Sequence, residues 1–286
     1  MDNRKKLLNT EIKQCKFIVF SDIHYLDKRP ELLDFNLSKK LTQFSIPIID
    51  ELISKINKSK LDMCICLGDL IEDTYTHDKD IANYIYIWNK LKKIKIPFYS
   101  VIGNHDLRTM NSRDELEKIM GINNATFSFD LNHYHFIILS TNIREDLGSD
   151  DGGIYKAQCM SEDDINWLKD DLEKNKLPCV IFTHFGIAED ELIGNYWFEK
   201  CPEEGLMSNR KVIKSIIKND DNILAIFSGH QHWTKQLYED GKKYFVVGSL
   251  TDNVNMTGRP DGVYLEVELQ GENIEIVEKH INIKVE

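Results

Sequence analysis

Residues of very different chemistry stand together in the stretch Gly103-Asn104-His105-Asp106, directly after the apolar run 97–102. Asparagine offers a neutral oxygen, histidine can bind a metal or move a proton near neutral pH, and aspartate can orient an imidazole. On its own, such a stretch is most often a polar turn. Four further apolar runs end in the same way, at a Gly, Ser or Thr beside an Asp or His, and this recurrence indicates a shared site.

The other four runs deliver acidic and imidazole side chains. They end in Ser21-Asp22-Ile23-His24, Gly68-Asp69, Thr183-His184 and Gly229-His230-Gln231-His232. Asp22 and His24 are two residues apart, so in an extended strand both side chains leave the same face and can reach one ion. The spacing of His230 and His232 predicts the same geometry.

The ligand types predict a centre with two metal ions. Asp69, Asn104 and His184 each follow a buried run, at the expected sheet edge where α/β sites gather. Seven nitrogen and oxygen ligands are more than one transition metal needs, and two ions sharing a carboxylate would use them all. Two divalent ions outweigh the charges of Asp22 and Asp69, so the centre can ionise a bridging water and attract a phosphate. A mixed imidazole and oxygen site favours Mn, Fe or Zn.

Alternating strand-like and helix-like segments must position these residues. Buried strands are predicted at 16–20, 63–67 and 97–102, and amphipathic helices at 37–56 and 81–91. Pro47 lies inside the first helical pattern and predicts a kink or break. This βαβαβ order is typical of a layered α/β domain.

The rest of the chain predicts further strands and one long loop. A hairpin is expected over 126–139, a helix after the N-cap Ser161, and strands at 180–182 and 223–227. The strands of the last third favour a second, more antiparallel sheet. The segment 187–205 has no clean period and is predicted to be a functional loop. No linker, repeat or low-complexity tract appears, so we predict a single domain over 1–286.

Composition and charge exclude several classes of protein. Of the 286 residues, 42% are hydrophobic, which is typical of a folded chain. The formal net charge of -11 disfavours a surface that tracks nucleic acid. The six cysteines lack zinc-type spacing and favour a reduced, cytoplasmic protein. We find no secretory signal in 1–13 and no apolar run of membrane-spanning length, so no membrane partner is expected.

In this order, the five motifs resemble those of the calcineurin-like metallophosphoesterases, and they span residues 22–232. The resemblance implies an α/β fold, a four-layer α/β/β/α sandwich with two mixed β-sheets flanked by helices and the metal site at the strand ends. One metal would be held by Asp22, His24, Asp69 and His232. The second would be held by Asp69 as the bridge, Asn104, His184 and His230. His105 would be the proton donor over the substrate, oriented by Asp106.

The motifs of this chain differ from those of two subfamilies, and the differences limit which subfamily it resembles. Protein Ser/Thr phosphatases carry Arg-Gly after the second motif and Glu after Asn-His, whereas this chain has Glu72-Asp73-Thr74 and Asp106. Purple acid phosphatases place an iron-binding Tyr where Glu72 stands. The remaining pattern is similar to bacterial cyclic-nucleotide phosphodiesterases and nucleotide pyrophosphatases. We interpret Glu72 and Asp73 as support for ligands or as a helix start, not as ligands.

The resemblance implies a phosphoesterase that hydrolyses phosphodiester or phosphoanhydride bonds of a small nucleotide-type substrate, through a metal-bridging hydroxide with His105 as general acid. The alternatives are a DNA or RNA nuclease of the same superfamily and a non-catalytic scaffold. The acidic charge disfavours the nuclease, and His105 disfavours the scaffold, which needs no proton donor. Tyr196, Trp197 and Trp233 could stack a base or serve only in packing. Substrate, native metal, monoesterase or diesterase preference and oligomeric state stay open.

Overall fold

The computed structural model describes residues 14–27, 39–143 and 158–283. Within these ranges eleven strands form two sheets. The first sheet consists of β1 (Cys15–Phe20), β2 (Met63–Cys66), β3 (Phe98–Ser100), β10 (Val263–Gln270) and β11 (Asn273–His280). The second consists of β4 (Phe127–Leu131), β5 (Tyr134–Leu139), β6 (Cys179–Thr183), β7 (Ile223–Ser228), β8 (Lys235–Glu239) and β9 (Lys242–Val246).

Both sheets are mixed. The first has the order β11-β10-β1-β2-β3. In it β1, β2 and β3 are parallel, β10 pairs antiparallel with β1, and β11 pairs antiparallel with β10. The second has the order β4-β5-β6-β7-β9-β8, with a parallel centre closed by an antiparallel hairpin on each side.

The prediction that the strands of the last third belong to a second, more antiparallel sheet is wrong for β10 and β11. The hairpin of β8 and β9 extends the second sheet, whereas β10 and β11 return to the first by pairing with β1. In that pairing Phe17 lies opposite Val267 and Val19 opposite Leu265. The match of apolar faces fixes this register, because a slip of one residue would turn every side chain of the strand to the other face.

The described helices cover the outer faces of the sheets. They are α1 (Ser45–Lys58), α2 (His77–Leu91), α3 (Asn104–Leu107), α4 (Arg113–Met120), α5 (Glu162–Lys174) and α6 (Arg210–Ile217). The predicted kink or break at Pro47 does not occur, because α1 begins only at Ser45 and places Pro47 in its first turn. Proline is tolerated there, since the first backbone N–H groups of a helix have no intrahelical acceptor.

Three apolar clusters separate the layers in the order helix, sheet, sheet, helix. The central cluster joins the two sheets and contains Phe17 of β1 in edge contact with Phe136, Phe182 and Phe227. A second cluster lies under α1 and α2, and a third under α5 and α6. Each fully buried ring contributes about 1.5–3 kcal/mol relative to its exposed state. The predicted four-layer sandwich is confirmed.

The parallel strands direct the loops with the polar motifs to one edge. β1, β2, β6 and β7 all run into these motifs at their carboxyl ends. The carboxyl ends of parallel strands are the usual place for α/β active sites. Among the described residues, no helix is long and apolar enough to cross a bilayer.

Candidate metal centre

The residues that follow β1, β2 and β7 adopt unusual backbone conformations. Asp22, His24, Asp69, His230 and His232 all have positive φ angles between 46° and 64°. Asp22 and His24 therefore do not project from an extended strand, and that part of the sequence prediction is wrong. Non-glycine residues in this region cost roughly 1–3 kcal/mol each, and such strain concentrates at functional sites.

A first cluster consists of the buried side chains of Asp22 and His24 and the His232 side chain, which is 5% exposed. His232 Nε2 lies 3.2 Å from Asp22 Oδ1 and 3.0 Å from His24 Nε2. His24 Nε2 lies 3.6 Å from the same oxygen of Asp22. One carboxylate oxygen and two ring nitrogens thus point at a common position.

A second cluster consists of Asp69, Asn104, His184 and His230. His184 Nε2 lies 3.3 Å from Asp69 Oδ2 and 3.1 Å from Asn104 Oδ1. The ring centroids of His184 and His230 are 5.0 Å apart, and ligand atoms of Asp69, His184 and His230 lie within 4.8 Å of one another. His230 is therefore not a partner of His232, although their spacing predicted a shared ion.

Asp69 lies between the two clusters. Its Oδ2 atom is 3.3 Å from His184 Nε2 in the second cluster and 3.9 Å from His24 Nε2 in the first. Its other oxygen accepts the backbone N–H of His105 at 2.9 Å. Asp69 Oδ2 and Asp22 Oδ1 are buried and have no hydrogen-bond donor among the described residues. A carboxylate shared in this way can bridge two ions.

The histidine rings leave a nitrogen lone pair for each cluster. In three rings one nitrogen faces the surrounding protein: His184 Nδ1 donates to the Leu67 carbonyl (2.8 Å), His230 Nε2 donates to the Glu204 carbonyl (3.0 Å), and His24 Nδ1 lies 2.8 Å from Glu72 Oε2. Such contacts fix the tautomer of a metal-binding histidine. The remaining ring nitrogens, such as Nε2 of His184 and of His232, face carboxylate or amide oxygens. The lone pairs of these nitrogen and oxygen atoms repel one another unless a cation lies between them. The residues therefore fit two metal ions.

The pKa values of the histidine and aspartate side chains also show that the site favours positive charge. Burial lowers the pKa of His184 and His232, but Asp69 and Asp22 outweigh it and raise both pKa values to about 9. Burial raises the pKa of the two carboxyl groups, and the facing imidazoles outweigh it. The pKa of Asp69 falls to about 2, and that of Asp22 falls well below its usual range.

His105 lies beside the first cluster in a mostly buried position. Its ring stands edge-on to His24, with 4.9 Å between the centroids. Its Nδ1 atom lies 2.7 Å from Asp73 Oδ2, and Arg108 lies 2.9 Å from the same carboxylate oxygen. Its Nε2 atom lies 3.4 Å from Lys40 Nζ. Burial and then the Lys40 charge hold the pKa of His105 well below its usual range.

Asp106 does not orient His105, and the sequence prediction of that role is wrong. Its carboxylate accepts backbone N–H groups of Asp69 (3.0 Å), Leu70 (2.8 Å), Ile71 (3.3 Å) and Gly103 (3.0 Å). Asp106 therefore ties the loop after β2 to the loop after β3. Asp73 occupies the orienting position instead. The acidic pair Glu72-Asp73 is the available sequence signal, but the sequence does not indicate that Asp73 contacts His105.

Gly103 is required where these two loops meet. A β-carbon at this position would lie 2.3 Å from Asp69 Oδ1 and 2.9 Å from a ring carbon of His184. Both neighbours are buried side chains of the second cluster, so neither can move without disturbing it. The close approach explains why the stretch that carries Asn104 and His105 begins with glycine.

The predicted aromatic residues differ in how close they lie to the clusters. The Trp197 ring lies 5.6 Å from that of His232, and its buried Nε1 has no hydrogen-bond partner among the described residues. Tyr196 is 43% exposed beside it, with Lys39 Nζ 4.7 Å from its centroid. Trp233 donates to the Gln231 side chain at 3.0 Å. The structure therefore brings Trp197 to the centre, with Tyr196 at the rim.

The sequence model described as "Calcineurin-like phosphoesterase" matches residues 15–234. The chain belongs to this family. The match covers most of the chain and includes every residue of both clusters, Asp22 through His232.

Individual relatives are distant. A protein from Psychrobacter arcticus named "Probable cyclic nucleotide phosphodiesterase" is 22% identical over 248 residues, which is 82% of this chain and 79% of the relative. A dimetal phosphatase from Danio rerio has a TM-score of 0.68 at 14% identity, covering 92% of this chain and 98% of that one. Phosphopantetheinyl hydrolase from Mycobacterium tuberculosis has a TM-score of 0.52 at 16% identity, covering 82% and 90%. At these identities the solved structures show the shared fold of this calcineurin-like phosphoesterase.

Proposed function

We propose that this calcineurin-like phosphoesterase is a dinuclear-metal phosphodiesterase acting on a small nucleotide-type phosphodiester or phosphoanhydride. The main observation behind the proposal is that the first and the second cluster both contact Asp69. We assign Asp22, His24 and His232 with Asp69 to one ion. We assign Asn104, His184 and His230 with Asp69 to the other. When bound, two ions of Mn, Fe or Zn would supply an activated water and positive charge for the phosphoryl oxygens.

His105 is assigned the role of proton donor to the leaving oxygen. It lies against His24 of the first cluster, and Asp73 holds its Nδ1 atom. The Nε2 atom is therefore the one that can exchange a proton with substrate. Its low pKa in the protein alone is compatible with this role, because an anionic ester within about 4–6 Å favours the protonated ring.

The nucleotide part of the substrate is assigned to the side of the site that Trp197 and Tyr196 line. Trp197 lies next to His232, so a base stacked on its ring would belong to an ester bound at the first cluster. The P. arcticus relative bears a cyclic nucleotide phosphodiesterase name, which agrees with a substrate of this size.

A turnover screen tests the proposed function directly. The purified chain loaded with Mn²⁺ is offered cyclic nucleotides, dinucleotides, nucleotide diphosphate esters and simple aryl phosphodiesters. We expect metal-dependent hydrolysis of at least one nucleotide-type ester, and its loss on removal of metal by a chelator. Metal binding without turnover of any of these esters would contradict the enzyme and favour a scaffold, whereas selective cleavage of DNA or RNA would establish a nuclease.

Replacing Trp197 by alanine is expected to raise KM for a nucleotide substrate about fivefold or more, because base stacking on an aromatic ring contributes about 1–3 kcal/mol. KM for a minimal aryl phosphodiester should change much less. Trp233→Ala is expected to have a smaller effect, because Trp233 contacts the Gln231 side chain. The matched control is Trp167→Ala, a partly buried tryptophan of α5. Equal effects on both substrates would assign Trp197 to packing alone.

A further inference from the structure

Lys40 places a buried ammonium group beside the first cluster. Its side chain is 8% exposed, and its Nζ atom donates to Glu72 Oε2 at 3.0 Å. Nζ also lies 3.4 Å from His105 Nε2, which is longer than the roughly 2.7–3.2 Å of an ordinary N–H···O hydrogen bond. An ammonium has three N–H donors, and Glu72 Oε2 is the one oxygen that accepts from them among the described residues. Lys40 thus retains donor capacity on the side where the substrate would lie.

The backbone around Lys40 is fixed by its pairing with a second segment. Residues 39–41 run antiparallel to 251–253, with two backbone hydrogen bonds of 2.8 and 2.6 Å. In the second segment, a carboxylate oxygen of Asp252 lies 3.5 Å from Nδ1 of His232, a member of the first cluster. The ammonium group is therefore held at a fixed place relative to that cluster.

Stability alone is a poor explanation for burying Lys40 with Glu72. The cost of desolvating two opposite charges commonly offsets their attraction, so a buried ion pair is weak evidence of a stabilising role. Lysine side chains usually extend their charged end into water. The burial of this ammonium group beside the two clusters instead favours a role in binding a ligand.

The chemistry of the ammonium group restricts what Lys40 can bind. An ammonium is a compact positive charge that donates hydrogen bonds, accepts none, and favours an anionic oxygen as its partner. Lysine commonly binds phosphate groups in this way, as a point charge. At the centre that the two clusters form, the fitting acceptor is a non-bridging oxygen of the phosphoryl group, because these oxygens carry the negative charge of a phosphodiester.

The distance between Lys40 and His105 fits two neighbouring oxygens of one phosphoryl group. With 3.4 Å between Nζ and Nε2, each nitrogen can reach a different oxygen on the same phosphorus atom. Lys40 would contact a non-bridging oxygen, while His105 would contact the leaving oxygen. The bound anion also offsets the repulsion between the ammonium group and a protonated ring, since a nearby opposite charge favours the charged form of each.

We propose that Lys40 is a substrate-binding residue of this phosphoesterase, whose ammonium group binds a non-bridging oxygen of the phosphoryl group. The inference rests on the proposed function, because it takes the phosphoryl group to lie at the two clusters beside His105. It adds to that function a side chain that recognises the anionic phosphoryl group of any substrate, independently of the base and of the leaving group.

Phosphate binding tests the contact without turnover. Inorganic phosphate is titrated into the Zn²⁺-loaded full chain, and its Kd is measured by calorimetry. Lys40→Met keeps the aliphatic length, removes the charge and should raise Kd about 10- to 100-fold, the usual effect of a hydrogen bond to a charged group. Lys40→Arg restores a cation and should recover part of the affinity. Lys55→Met makes the same change at a lysine 5.3 Å from the Tyr264 ring and should have no effect.

Two phosphodiesters that share the phosphoryl group and differ in the leaving group, a nitrophenolate or an alkoxide, test the contact during hydrolysis. Lys40→Met should lower kcat/KM by a similar factor of about 10 or more for both esters, because both present the same non-bridging oxygens. A loss confined to the alkoxide ester would overturn the inference, since it would place Lys40 at the leaving oxygen. An unchanged Kd for phosphate, with both ions retained in Lys40→Met, would overturn it as well.

A measurement on the unaltered chain decides the case in which Lys40→Met loses metal or does not fold. The ¹³C resonance of Lys40 Cε is recorded in the Zn²⁺-loaded chain with and without phosphate, and Lys40→Arg assigns it. Phosphate should shift this resonance and leave that of Lys55 unchanged. An unshifted Lys40 resonance at saturating phosphate would refute the contact. A chain that binds phosphate at Lys40 but hydrolyses no ester would contradict the proposed function and leave the phosphate contact established.

Discussion

Replacing Asp69 by alanine is expected to remove both metal ions from the chain and to abolish turnover. Its Oδ2 atom faces both clusters, at 3.3 Å from His184 Nε2 and 3.9 Å from His24 Nε2, so no other side chain can substitute for it. Contacts that only support a ligand contribute about 10- to 100-fold to metal affinity or activity, and a shared ligand is expected to exceed this. Elemental analysis after reconstitution with Mn²⁺ measures the metal content, and initial rates measure turnover.

The effect of Asp69 must be separated from a general loss of folding. Asp69→Asn keeps the shape and an oxygen that can accept the His105 N–H, and it replaces the oxygen that faces both clusters by an amide nitrogen that cannot bind a metal ion. Asp171→Ala is the matched control, because Asp171 also contacts a buried histidine, with 2.7 Å to His135 Nε2. Circular dichroism should show folded protein for all three variants. An Asp69→Ala chain that retains one tightly bound ion would refute the bridge, since the remaining cluster would then be self-sufficient.

The resemblance carried by the ordered motifs predicted the same two groups of side chains that the structure brings together, whereas spacing alone did not. Spacing alone grouped His230 with His232, yet the structure separates them. The cause is the backbone: both residues have positive φ, so their side chains diverge and do not share a strand face. Local sequence carries little information on such conformations in non-glycine residues, because they are imposed by the surrounding structure.

The supporting contacts were harder to predict for a different reason. Asp73 and Lys40 reach His105 only through the fold, and Lys40 is presented by a pairing between 39–41 and 251–253. Neither contact produces a periodicity or a motif. The same limitation applies to the sheets, where local hairpins were predictable but the pairing of β10 with β1 joins distant parts of the chain. Contacts that require long loop closures lack a local signature.

Replacing His105 by alanine is expected to slow hydrolysis strongly for an alkyl or ribose leaving group and only slightly for a nitrophenolate. A positioned general acid contributes about 10²- to 10⁴-fold in rate, and a leaving group that is stable as an anion needs little of this help. The site supports the role, since Asp73 holds Nδ1 and the ring lies edge-on to His24 at 4.9 Å. The measurement is kcat/KM for a pair of phosphodiesters that differ in the leaving group alone.

Metal content and a matched variant decide between the roles open to His105. His133→Ala changes an exposed histidine in the turn between β4 and β5, and it should leave both rates unaltered. His105→Ala should retain both ions, because the contact of Asp69 with residue 105 is made by a backbone N–H that alanine keeps. If the variant loses an ion, His105 is a ligand. If both esters slow by the same factor with the ions retained, the ring binds the phosphoryl group, and the proton for the leaving oxygen comes from another donor.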